Sequence, residues 1–223
     1  MMTNIFSMFD PSSSIMNLQL KWINSMTIFI FFPHIYWFIP SPIQFIWISL
    51  LKMINQEIKI LTTSMSFTGI NLFFSSLFFF LFFNNFLGLF PFIFTPSSHL
   101  TLNLTISLTI WISLMFYGWI NLTNNMFSHL IPNNTPPILM PFMVLIETTS
   151  NIIRPLTLAV RLSANMIAGH LLIFLLMNNE TNIATFNLLI LVEIALMTLE
   201  ISVSIIQAYV FTILSTLYTS EIK

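Results

Sequence analysis

The stretch Glu147-Thr-Thr-Ser-Asn151-Ile-Ile-Arg154-Pro-Leu-Thr-Leu-Ala-Val-Arg161-Leu-Ser-Ala-Asn165 decides how this chain is read. It lies in a helix-compatible run, Ile138 to Met177, that is otherwise mostly apolar, and its polar residues recur at steps of four, three, seven and four. On one helix those steps place Glu147, Asn151, Arg154, Arg161 and Asn165 on a shared face. Two turns nearly equal seven residues, so Glu147, Arg154 and Arg161 fall almost in line, successive charges roughly 10 Å apart. A charge at membrane depth costs at least about 2.5 to 3.5 kcal/mol. Such a stripe must meet protein or water.

A membrane is implied by composition. Of 223 residues, 57% are hydrophobic and 6% charged, with a mean hydropathy of +0.91; a soluble domain carries about 25% charged residues. Six Lys plus Arg against seven Asp plus Glu is too sparse and too balanced for a phosphate-binding surface, which argues against nucleic acid. The chain has no cysteine, and its four histidines, at 34, 99, 129 and 170, never take metal-ligand spacing, so neither metal nor cofactor is expected. No Gly-rich phosphate loop, G-x-S-x-G or His-carboxylate-Ser set appears. Abundant Phe, Ile, Leu, Met and Asn beside scarce Gly fit A/T-rich codons and hence an organelle genome. Met1 to Gln19 has no basic run and no small-residue cleavage site, so no signal or transit peptide is expected.

A spanning helix needs about 20 mostly apolar residues, and the chain reads as all-α with about five crossings plus one amphipathic surface helix. Residues 1–65 hold a first span, Leu20 to Phe38, and then a surface helix, in which Lys52, Asn55, Gln56 and Lys59 recur at helical spacing. Residues 66–137 hold a central hairpin, Asn71 to Phe90 and Leu102 to Ile120, followed by a polar connection, Asn121 to Pro137. Residues 138–223 hold the two long runs, Ile138 to Met177 and Thr185 to Leu217. The first would be roughly 60 Å long, about twice the hydrocarbon thickness. It either tilts steeply or splits near Pro155. Lys52, Lys59 and Lys223 are expected on one side, the negative, matrix-type side.

The second long run carries its own stripe: Glu193, Glu200, Ser204 and Gln207, at steps of seven, four and three. Helix-to-helix pairing is one reading. A water-lined ion or proton route is the other, favoured because hydroxyls would serve as glue without the burden of full charges. His170 sits half a turn round from the Arg161 face and can face this second stripe; it is a candidate proton relay or a satisfied interior histidine. The remaining histidines fall near span ends or in loops.

The run Thr157-Leu-Ala-Val-Arg161-Leu-Ser-Ala-Asn165-Met-Ile-Ala-Gly-His170 closely resembles the hallmark of the subunit a family of F-type ATP synthases, in its mitochondrial form. Asn84-Asn-Phe-Leu-Gly-Leu-Phe-Pro91, Ile138-Leu-Met-Pro-Phe-Met-Val-Leu-Ile-Glu147 and Gln207-Ala-Tyr-Val-Phe211 agree, and Met115-Phe-Tyr-Gly-Trp-Ile-Asn121 is similar to arthropod members. The resemblance covers residues 84–223 strongly. It implies a multi-pass stator of the mitochondrial inner membrane, not catalytic alone, lying against a rotating c-ring of proteolipid subunits and beside peripheral-stalk and other membrane subunits. It also implies that the last two helices form a long tilted hairpin. The family's essential arginine falls on Arg161, with Asn165 and Gln207 near the ring. Glu200 and His170 then belong to an intermembrane-space route, and Glu147 and Glu221 to a matrix route. Arg154 matches a basic position of less certain function. Glu193 departs from the family pattern, which is uncharged there; it either extends the uptake route or pairs at an interface.

Overall fold

Ser41 opens the first long helix, α1 (Pro42–Leu61), with a reciprocal cap: its hydroxyl accepts from the Gln44 N–H, and its own N–H donates to the Gln44 side chain. Pro42 follows at the first helical position, where its missing N–H is harmless. The structure is a computed structural model describing residues 9–13, 18–27, 29, 39–62, 69–90, 93–131, 136–178 and 183–221. Lys52, Asn55, Gln56 and Lys59 are all exposed along α1, while Trp47 packs on Phe79 and Phe83, ring centroids 5.8 and 5.3 Å away.

Helix α2 (Ile70–Gly88) starts after Gly69, whose φ of 105° belongs to the left-handed region that favours glycine. Its phenylalanines stack along the helix at four-residue spacing, as between Phe78 and Phe82 and between Phe79 and Phe83. A 3-10 turn, Pro96–Ser98, then precedes α3 (Leu100–Asn121), and Asn103 holds it by donating to the Ser97 carbonyl at 2.7 Å. Helix α4 (Thr123–Leu130) follows. This is the polar connection expected at 121–137. A short helix forms there, and Trp119 ties it back by meeting Phe127 edge to face at 5.0 Å.

The two long runs are single helices, α5 (Met140–Asn178) and α6 (Ile183–Glu221), each of 39 residues. Pro155 lies inside α5 without ending it, so the alternative of two short pieces is excluded. In the membrane core a helix must satisfy its backbone internally or from neighbours, so a single proline is absorbed rather than allowed to break the run.

Among the described residues four helices are long and apolar enough to cross a membrane: Ile70–Gly88, Leu100–Asn121, Met140–Leu176 and Leu189–Glu221. The expected span Leu20 to Phe38 lies largely outside the described residues, as does Lys223. Its first part, Leu20–Met26, is a 3-10 helix rather than the start of an α-helical crossing. Asn24 there donates to the Phe94 carbonyl at 2.6 Å, docking the segment on the turn before α3.

The packing order is α2 on α6, α6 on α5 and α5 on α3. The common core is Leu77, Phe78, Leu81, Ile110, Leu158, Leu162, Ala208 and Phe211. Lipid is as apolar as leucine, so burial alone cannot drive helices together there; close backbone approach can. Helix α6 provides a seam for it. Ser204, Ala208, Thr212, Ser215, Thr216 and Thr219 are buried, and each hydroxyl donates to a carbonyl of its own helix. The polar atoms are satisfied while the surface offered to neighbours stays small.

Candidate functional site

The α5–α6 pair brings the two polar stripes into two separate cavities. Glu147, Asn151 and Arg154 of α5 meet Tyr218 and Glu221 of α6 in a cleft of about 460 Å³. Its other wall is apolar and aromatic, with Trp111 and Trp119 from α3 and Met126 from α4. Arg154 is central: Nη1 is hydrogen-bonded to Glu221 Oε2, Nη2 lies 4.0 Å from Glu147 Oε1, and the guanidinium sits over the Tyr218 ring, 5.2 Å from its centroid.

The second cavity, of about 190 Å³, gathers Asn165 of α5 with Glu200, Ser204 and Gln207 of α6. Its far wall includes Asn85 of α2. Asn85 is 1% exposed, and neither end of its amide finds a partner among the described residues; both Glu200 carboxylate oxygens are likewise buried without one. Buried polar atoms are nearly always hydrogen-bonded, by ordered water where not by protein. Such a concentration in one cavity is the chemistry of a hydrated site. The Glu200 carboxyl lies directly on Gly169, where a Cβ would stand 2.6 Å from Oε1.

Between the cavities lies an apolar block. Leu158, Ala159 and Leu162 of α5 close against Ala208 and Phe211 of α6, all buried. None of those five side chains carries a polar atom, and the buried hydroxyls beside them, on Ser163, Thr212 and Ser215, each donate to a carbonyl of their own helix. Arg161 sits on α5 at the level between the two cavities but lines neither, and its side chain is exposed on the outer face. No ion pair or hydrogen bond to its side chain occurs among the described residues.

Not every sequence candidate gathers here. Buried His170 turns toward the Gly88 carbonyl and meets Phe9 edge to face at 6.3 Å, so it is Gly169, its neighbour, that contacts Glu200. Half-buried Glu193 lines neither cavity. Asn85 was missed as a site residue. The signal was the pair Asn84-Asn85 inside a helix that is otherwise almost wholly apolar.

A family model of the ATP synthase A chain matches residues 17–220 of this sequence. The chain belongs to the ATP synthase A chain family. It is 53% identical to ATP synthase subunit a of Anopheles quadrimaculatus over 226 residues and to that of Drosophila simulans over 225, with 100% of both chains covered in each comparison. The expected family is therefore established, and with it a multi-pass membrane subunit of the F-type ATP synthase concerned with proton translocation. Within this member of the A chain family Glu147, Asn151 and Arg154 line one cavity and Asn165, Glu200, Ser204 and Gln207 another, while Arg161 and Glu193 line neither.

Proposed function

We propose that this chain is the stator of a mitochondrial inner-membrane ATP synthase, with two half-channels that exchange protons with carboxylates on a c-ring. The observation that carries the reading is the pair of polar cavities divided by the Leu158–Phe211 block, with Arg161 exposed between them. A proton entering one cavity meets, among the described residues, no titratable side chain in the block that stands before the other. It must leave onto a partner and return.

The physics of a ring carboxylate supplies the partner's part. Facing lipid, an ionised carboxylate is strongly disfavoured, so the group must hold its proton; beside a guanidinium the ionised form is favoured and the proton leaves. Guanidinium keeps its own proton at any relevant pH. Arg161 is therefore a gate and not a relay. Each charge that crosses releases about 2.3 kcal/mol per 100 mV, which is available to turn the ring only if no proton slips past the gate.

Asn165 and Gln207 flank the gate at the ring face. Glu200 and His170 serve uptake from the intermembrane space, with Asn85 in the same cavity as Glu200, and Glu193 extends that route. Glu147 and Glu221 serve release to the matrix. Peripheral-stalk and other membrane subunits hold the chain against rotation. Replacing Arg161 by Ala in the assembled complex should abolish ATP synthesis and ATP-driven pumping while leaving a passive proton leak, measured in sealed membrane vesicles. Coupled synthesis surviving in Arg161→Ala would overturn the gate assignment.

A further inference from the structure

The larger cleft holds a cation that the proton route as described does not use. Arg154 is fixed from three sides, by Glu147 two turns back on α5 and by Glu221 and Tyr218 near the end of α6. It joins the two long helices where no other ion pair among the described residues does. The titratable and charged groups lining this cleft are Glu147 and Arg154 from α5 and Tyr218 and Glu221 from α6; α3 and α4 face it with indole, thioether and aliphatic side chains.

We infer that Arg154 is a positioning residue for proton release. It bridges the two carboxylates of the matrix cleft and keeps them apart, so that an arriving proton is passed outward and not retained between them. This rests on the reading of Glu147 and Glu221 as the release route. The argument is electrostatic. Two carboxylates in one cleft without a cation between them tend to share a proton, because ionising the second beside the first is unfavourable. A cation bridging both removes that penalty, and here its planar fork lies over the Tyr218 ring. The same bridge anchors the α6 terminus to α5 and keeps the cleft's mouth at one width.

The expected consequence is visible in pH dependence. With the cation gone, a proton should linger in the cleft as the matrix side is acidified, so synthesis fails sooner. Side-chain exposures of 31% for Arg154 and 57% for Glu221 mean solvent screens part of the effect. The acid limb of the rate profile should therefore move toward higher pH.

The test uses the whole complex in vesicles whose matrix-side pH is varied, with assembly checked by native electrophoresis. Three variants are compared: Arg154→Gln, Arg154→Lys, and Arg154→Gln combined with Glu221→Gln. In Arg154→Gln the acid limb should shift upward. Arg154→Lys should restore most of it, and the double variant, with one carboxylate left, should bring the limb back toward its normal position at whatever maximal rate remains. If Arg154→Gln alone fails to assemble, the double variant against Glu221→Gln carries the comparison, and its limb should match. A uniform fall in rate at every pH, unrelieved by lysine, would mark a purely structural clasp and overturn the inference. An unchanged limb in Arg154→Gln, with Glu147→Gln still blocking flux, would sink the inference and leave the release route standing. Unimpaired flux in Glu147→Gln would remove the route and the inference together.

Discussion

At the scale of single residues, the contact between Gly169 and Glu200 is the tightest constraint in the smaller cavity. A methyl group at Gly169 would meet Glu200 Oε1 at 2.6 Å and Cδ at 2.8 Å, distances that real Cβ atoms essentially never show. The carboxyl is the end of a side chain with rotatable bonds, so it would swing away without unfolding the helix pair. Gly169→Ala should therefore assemble normally and yet lose proton flux, roughly ten- to a hundredfold by the cost of a misplaced group in a chemical relay. Quantifying the assembled complex and ATP-driven acidification of vesicles in parallel separates the two. Loss of assembly with unchanged flux per complex would show that Gly169 serves packing alone. In the sequence Gly169 is one letter of the hallmark run, and a helical glycine announces no role of its own until its neighbour across the interface is known.

At the scale of elements, α5 and α6 pose a problem of length. A helix of 39 residues is roughly 58 Å long against a hydrocarbon layer of about 30 Å. Held wholly within that layer it would lean about 60° from the bilayer normal, beyond the roughly 0–40° range of ordinary spans. Such a lean lets one helix touch both half-channels and the surface between them, which an upright span of about 20 residues could not. Polarised infrared or oriented-sample resonance on specifically labelled α5 should report a tilt above about 40°. An upright α5 with long ends in water would contradict the arrangement. The sequence posed this choice by its run lengths alone. Only the structure, with α5 unbroken at Pro155, removed the split alternative.

At the scale of the whole molecule, the outer face of α5 stays uncovered. Val160, Arg161, Ala164, Ala168 and Leu172 are exposed there, and so are Leu199 and Ile206 on α6. An apolar surface with one cation at its centre suits a greasy partner bearing a single acid, the ring proposed above. The chain contains no cysteine, so a single introduced thiol reports without background. Ala164→Cys should form a disulfide with a cysteine placed beside the ring carboxylate, read as a band of summed mass on non-reducing gels. Phe116→Cys, exposed on α3 beyond α5, should not. Equal yields from both positions, or a product only from Phe116→Cys, would place the ring on the wrong face.

What the sequence determined by itself follows from solvent. Lipid and water together dictate that long apolar runs become helices and that charges at four- and seven-residue steps share a face, so the helices, the stripes on α5 and α6, and Arg161 as a singular cation were legible from periodicity and resemblance. What only the tertiary structure decided depends on which faces meet. The stripes divide into two cavities because Leu158, Leu162 and Phe211 close between them. Asn85 shares a cavity with Glu200 from a helix more than a hundred residues away in sequence, and Arg154 pairs with Glu221 across the hairpin. No periodicity encodes such meetings, since they are set by side-chain volumes and backbone approach between helices, and a helix viewed alone has no neighbours.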